Sequence, residues 1–179
     1  MGGPKALLRI GPSSFLARAV ELLSRPGVEG VIAVLGHEFS RVAAEAGLSP
    51  GVALVENPAY REGMLSSVLC GLDEAERRGA DALLLHPVDH PLVSPTTVDL
   101  VVTALVEGAL VAVPSHEGRR GHPAGFARST WPALRAASPG RGARGVLADR
   151  PEWVVHVPGD AGCTAGIDTP DDLLRFGVA

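Results

Sequence analysis

Leu83-Leu84-Leu85-His86-Pro87-Val88-Asp89-His90-Pro91-Leu92-Val93 decides how the rest of this chain is read. A short apolar run ending in an acid and a proline has the pattern of a buried parallel strand that delivers a carboxylate to the sheet's carboxyl edge. In open α/β sheets that edge is where ligands bind. An oxygen ligand on a rigid strand end also suits a hard cation such as Mg²⁺ beside a polyphosphate. Taken alone, Asp89 is explained equally well as a turn residue between strand and helix.

Working outward, residues 30–36, 52–55, 82–86, 109–113 and 154–157 read as strands, each short, apolar and bounded by Gly, Pro or polar residues. Helical patterns lie between them. Phe15, Ala19 and Leu23 share one face, as do Leu65, Val68, Leu69 and Leu72. Ser94-Pro95 supplies an N-cap and a first-turn proline, and Thr169-Pro170-Asp171-Asp172 does the same for a final helix through Phe176. Alternating strands and helices predict an α/β fold, a three-layer α/β/α sandwich formed as a single domain over residues 1–179. Residues 118–125 and 139–143 are expected to be loops. The chain opens Met1-Gly2-Gly3-Pro4-Lys5, a loop signature where such a domain would place a buried strand.

Composition narrows the function classes. Of 179 residues, 46% are hydrophobic and 20% charged, with a net charge of −4, which argues against a nucleic-acid surface. No stretch free of Asp, Glu, Lys and Arg exceeds ten residues, too short to span a bilayer. With no signal-peptide pattern, a cytoplasmic location is the default expectation. Cys70 and Cys163 match no metal or redox spacing, and Cys70, on an apolar helical pattern, is expected to be a buried thiol. The basic residues are 15 Arg and one Lys, which draws attention to Lys5.

Four further segments could carry chemistry. Gly2-Gly3-Pro4-Lys5 could wrap backbone N–H groups and an ammonium around phosphates, although a disordered tail is the plainer reading of that segment alone. Gly63, Met64, Ser66 and Ser67 open an amphipathic helix, where free N–H groups attract anions. Simple capping explains the serines as well, and the preceding Asn57-Pro58-Ala59-Tyr60 tilts the reading towards a bound base. Arg119, Arg120, Gly121 and His122 combine planar phosphate-binding forks with close backbone approach, or form a solvated basic loop. Asp168 lies just outside the last helix. If it meets Asp89 in space, two carboxylates could hold one Mg²⁺.

In their order these segments resemble the MobA-like nucleotidyltransferases, most closely the molybdenum cofactor cytidylyltransferase branch. The matching pieces are Met1-Gly2-Gly3-Pro4-Lys5, Gly63-Met64-Leu65-Ser66-Ser67-Val68, Asp89-His90-Pro91, Gly118-Arg119-Arg120-Gly121-His122-Pro123 and Asp168-Thr169-Pro170-Asp171-Asp172. The resemblance implies a Rossmann-like, mostly parallel sheet of the nucleotide-diphospho-sugar transferase type. It implies that Gly2, Gly3 and Lys5 contact the nucleotide phosphates, with Lys5 and Asp89 catalytic, and that Asn57, Gly63, Met64, Ser66 and Ser67 hold base and ribose. Asp89 and Asp168 would ligate Mg²⁺, and Arg119, Arg120, Gly121 and His122 would face molybdopterin. The implied reaction transfers a nucleotidyl group, CMP in preference to GMP, from CTP or GTP to molybdopterin, and a molybdoenzyme maturation factor is an expected partner. Alternatives are transfer to another phosphorylated small molecule, or a non-catalytic nucleotide-binding remnant.

The chain departs from the pattern in two places. His90 stands where the family usually has Gln, and the first strand with most of its Gly-rich loop is missing. Burying about five apolar side chains at ~2 kcal/mol each would contribute ~10 kcal/mol, comparable to a whole domain's net stability. The expectation is a start assigned too late, or a gap filled by rearrangement or partner contact.

Overall fold

The computed structural model describes residues 3–176. In chain order the elements are β1 (Arg9–Ile10), β2 (Ser13–Ser14), α1 (Phe15–Leu23), β3 (Ile32–Leu35), α2 (Phe39–Glu45), β4 (Ala53–Glu56), α3 (Met64–Arg77) and β5 (Ala82–Leu85). There follow α4 (Pro95–Val106), β6 (Val111–His116), β7 (Arg119–Arg120), β8 (Ala124–Ala127), α5 (Trp131–Arg135), α6 (Gly142–Asp149), β9 (Val154–Pro158) and α7 (Pro170–Arg175). Capping sets several boundaries as the sequence indicates. Ser94 accepts from the Thr97 N–H to start α4, and Thr169 and Asp172 form a reciprocal capping box at α7.

The sheet is mostly parallel. β3 pairs with β4 and β6 with β9 in parallel, while β8 runs antiparallel between β5 and β6. Three layers result. On one face Leu72 and Ala75 of α3 join Trp131, Leu134, Val146 and Leu147 over Val111, Val113 and Phe126. On the other, Val101 and Ala104 of α4 cover Ala112 and Val157, and Leu16 and Val42 of α1 and α2 cover Ala33 and Leu35. No helix among the described residues is long and apolar enough to cross a membrane.

The sheet is interrupted between β3 and β5. Among the described residues each of these strands has one paired edge, and they do not hydrogen-bond to each other, although α3 packs against both. No strand among the described residues pairs with both of them. All four residues of β5 remain only half-buried, unlike the buried Val111–Val113 of β6.

Several local expectations are corrected. Residues 118–125 are not one loop: Arg119–Arg120 pairs with Ser115–His116, and β8 begins at Ala124. The segment 139–143 already starts α6 at Gly142. Cys70 is half-buried because its side of α3 lies at the margin of the core, whereas Cys163 is the fully buried thiol, packed with Val93 and Val98.

Candidate functional site

The loop after β5 is pinned before it does any chemistry. Val88 packs into the cluster of Ala33 and Leu35, which places the carboxyl ends of β3 and β5 at one edge. The Asp89 carbonyl accepts from the Ile167 N–H at 2.8 Å, tying this loop to the one before α7. There Asp172 Oδ2 accepts from the N–H groups of Asp168 and Thr169 at 3.0 and 2.8 Å, so the cap of α7 also fixes Asp168. Ala6 and Leu7 join the same apolar cluster and carry Lys5 in from the third side.

These three supports bring the predicted residues together. Lys5 Nζ lies 2.5 Å from Asp168 Oδ1 and 3.9 Å from Asp89 Oδ2. Asp89 Oδ1 is buried and has no hydrogen-bond partner. A β-carbon on Gly166 would sit 3.7 Å from Asp168 Oδ2 and 3.5 Å from His90 Nε2, which makes Gly166 part of the cradle. Two carboxylates facing one cation, one with an orphaned oxygen, fit a divalent ion. No cluster of three or more His, Cys, Asp or Glu disposed to hold a metal occurs among the described residues. Asp89 and Asp168 would therefore be the carboxylates that hold such an ion.

The β4–α3 connection forms a second cluster at the same edge. Asn57, 1% exposed, donates through Nδ2 to Ser66 Oγ at 2.8 Å and Ser67 Oγ at 2.9 Å, and its Oδ1 accepts from the Ala59 N–H. Its polar groups are engaged within the protein, so it shapes the loop instead of facing a ligand. The serines do not cap α3. Gly63, at φ 109°, is the N-cap residue, a conformation that favours glycine, and Ser66 Oγ lies 2.8 Å from the Gly63 carbonyl. Met64 is 70% exposed on the first turn. Gly3 is exposed, and Gly2 lies outside the described residues.

Arg119 and Arg120 are exposed on β7. Gly121 is buried, and a β-carbon there would come within 2.5 Å of the Cys163 carbonyl. That carbonyl accepts from the His122 N–H at 2.9 Å, which turns His122 inward, its ring edge-on to His90 with centroids 4.6 Å apart. His86, which sequence reading passed over, completes this group. Both of its ring nitrogens are buried without partners, as are Nδ1 of His90 and of His122. The three lie 36 positions apart at most, and only the pairing of β5 with β8 makes them neighbours.

Burial, with His122 and His90 alongside, pushes the His86 imidazole down to about 3. Burial and His90 push His122 down to about 4, and burial also lowers His90 against the opposing pull of Asp89 and Asp168. All three are therefore neutral at neutral pH. An unfolded chain takes up these protons near pH 6.5, so it binds more protons than the folded chain from there down to about pH 4, and stability falls as acid is added. His86 alone should remove about 2 kcal/mol between pH 7 and 5. Urea midpoints at the two pH values measure this. His86→Phe should flatten the profile by that amount, and an unchanged profile would contradict the assignment.

A separate cavity of about 460 Å³ opens at the opposite edge, among Val20, Ser24, Arg25, Gly30, Ser49 and Val52. Its Arg25 is already held in a forked pair with Asp99, and none of the residues above reaches it.

Comparison with known proteins bears on this geometry. A family model described as the MobA-like NTP transferase domain matches residues 1–157. This chain belongs to that family. Nicotine blue oxidoreductase from Paenarthrobacter nicotinovorans is 31% identical, across 97% of this chain and 88% of its own length. A molybdenum cofactor guanylyltransferase from Rhizobium meliloti is 33% identical, across 76% of this chain and 59% of its own. A Mycobacterium tuberculosis protein solved in complex with manganese aligns with a TM-score of 0.77 and 25% identity, covering 97% of this chain and 91% of that one. By its family the chain is a nucleotidyltransferase, with the α/β fold of that family.

Proposed function

We propose that this MobA-like domain, spanning residues 1–179, transfers a nucleotidyl group from a nucleoside triphosphate to molybdopterin, taking CTP in preference to GTP and using Mg²⁺. The observation that carries this is the convergence of Asp89 and Asp168 on one cationic position at the carboxyl edge. A phosphate oxygen of the acceptor attacks the α-phosphorus. The bond to the β-phosphate oxygen breaks, and pyrophosphate leaves with the electron pair. Asp89 and Asp168 would hold the divalent ion, which when bound would supply positive charge to offset the negative charge that develops on the triphosphate.

The protein's own contribution is positioning and charge. Lys5, with the backbone of Gly2 and Gly3, holds the triphosphate. Gly63, Met64, Ser66 and Ser67 border the base and ribose in the loop that Asn57 braces. Arg119 and Arg120 meet acceptor phosphate, with Gly121 and His122 beside them. No residue acts as a nucleophile. A molybdoenzyme maturation factor would receive the product.

A second reading has a specific observation behind it, since the relative aligned over 97% of the chain is named an oxidoreductase. Fold alone does not choose between the chemistries. Pyrophosphate release measured with each of the four triphosphates and molybdopterin, in parallel with reduction of nicotine blue by a reduced nicotinamide, separates them. The proposal expects release with CTP above GTP and no nicotinamide oxidation. Release only with another phosphorylated acceptor would move the substrate. Nicotinamide oxidation without release would replace the reading, and nucleotide binding without either would mark a non-catalytic binder.

A further inference from the structure

We infer that Lys5 is a removable counter-cation: its ammonium stands between the two acids, where the divalent ion goes, and it leaves for the triphosphate when ion and nucleotide arrive together. The inference rests on the metal assignment proposed above and adds a coupling that the assignment does not contain.

The geometry makes the two cations mutually exclusive. The ammonium lies 2.5 Å from Asp168 Oδ1 and 3.9 Å from Asp89 Oδ2, so it occupies the space between the two acids. A magnesium-type ion demands the same oxygens at about 2.0–2.1 Å. An ammonium left in place would then face a double positive charge at contact distance, with carboxylate oxygens already committed to the metal. Lys5 has to move before the site can load.

The surroundings allow that movement. The Lys5 side chain is 36% exposed, and Asp168 is 67% exposed, so the ion pair opens to solvent without disturbing packing. The backbone beneath stays fixed, because the next two residues, Ala6 and Leu7, are packed into the cluster of Ala33 and Leu35. The ammonium therefore swings on a tether of constant origin and remains within reach of a ligand at the same edge. A triphosphate brings the anionic oxygens to receive it.

One ammonium also under-neutralises its partners. It offers a single charge to two carboxylates, and Asp89 Oδ1 stays buried without a hydrogen bond. The Lys5 ion pair is thus good enough to hold the acids together and poor enough to be displaced. The consequence is coupled loading: the ion alone competes with Lys5, whereas the ion with its nucleotide gives Lys5 a better partner.

Mn²⁺ binding, followed by the electron paramagnetic resonance signal of the free ion, tests this on the intact chain. Lys5→Met should bind Mn²⁺ alone about tenfold more tightly than the unaltered chain. The same variant should bind Mn²⁺ with α,β-methylene-CTP about tenfold more weakly. Lys5→Arg, which keeps the charge, should not gain affinity for Mn²⁺ alone, and Asp89→Asn should lose it in every background. Equal or weaker Mn²⁺ binding by Lys5→Met, with Asp89→Asn still defective, would overturn the displacement and leave the metal site standing. Full Mn²⁺ binding by Asp89→Asn would instead overturn the metal assignment, and this inference with it.

Discussion

Asp89→Asn is expected to reduce pyrophosphate release by about a thousandfold or more while leaving the fold in place. The amide keeps the side chain's size but removes the charge that a divalent ion requires, and metal-based charge stabilisation is worth several kcal/mol, with each 1.36 kcal/mol a factor of ten in rate. The link that holds this loop to its neighbour runs through the Asp89 backbone carbonyl and the Ile167 N–H, so the substitution does not touch it. Loss of turnover should therefore come without a large drop in thermal midpoint. A variant that stays folded and turns over at near-normal rate would take Asp89 out of the site.

The second large effect is on stability. Gly162 sits in the turn that follows Asp160, and a β-carbon there would drive directly into the Leu92 carbonyl. The obstacle is backbone, with no flexible side-chain end to yield, and overpacking of that kind typically costs 1–3 kcal/mol and sometimes more. We expect Gly162→Ala to destabilise by about 3 kcal/mol, a fall of roughly 6–12 °C in thermal midpoint for a chain of this size. The same turn carries Cys163, whose carbonyl holds the His122 N–H, so the acceptor side of the site should loosen as well. Gly166→Ala is the matched control. Its β-carbon would meet nothing nearer than 3.5 Å, and less than about 1 kcal/mol should be lost. Equal midpoints for the two variants, by scanning calorimetry, would contradict this account of the turn.

How much of this was legible beforehand depended on the range of the interaction. The caps of α4 and α7 were readable because Ser94-Pro95 and Thr169-Pro170 act on their own neighbours. The acid at the end of β5 was readable because a strand's exit is marked by the sequence around it. β8 was hidden because Gly125 and the preceding His122-Pro123 look like turn chemistry, and only pairing with Leu83–Leu85 and Val111–Ala112 makes the segment a strand. α5 and α6, of 5 and 8 residues, are too short to show a period. The interruption between β3 and β5 was not legible locally, because it depends on which strands pair with which.

The site divided in the same way. Lys5, Asp89 and Asp168 were nameable from type and position, and the geometry brings them within one cation's reach. What the sequence could not convey was that Lys5 already stands between the acids. Nor could it convey that Asn57 is turned inward onto two serines. The histidine group was invisible for a physical reason: His86, His90 and His122 become a unit only through burial and the register of β5 against β8.

The measurement that bears most directly on the central claim is anomalous diffraction at the manganese edge, from crystals of this chain grown with Mn²⁺ and α,β-methylene-CTP. One strong peak is expected between the Asp89 and Asp168 carboxylates, in contact with the triphosphate, with the Lys5 ammonium moved onto phosphate oxygens. A peak elsewhere on the chain, or bound nucleotide with no metal between those two acids, would contradict it.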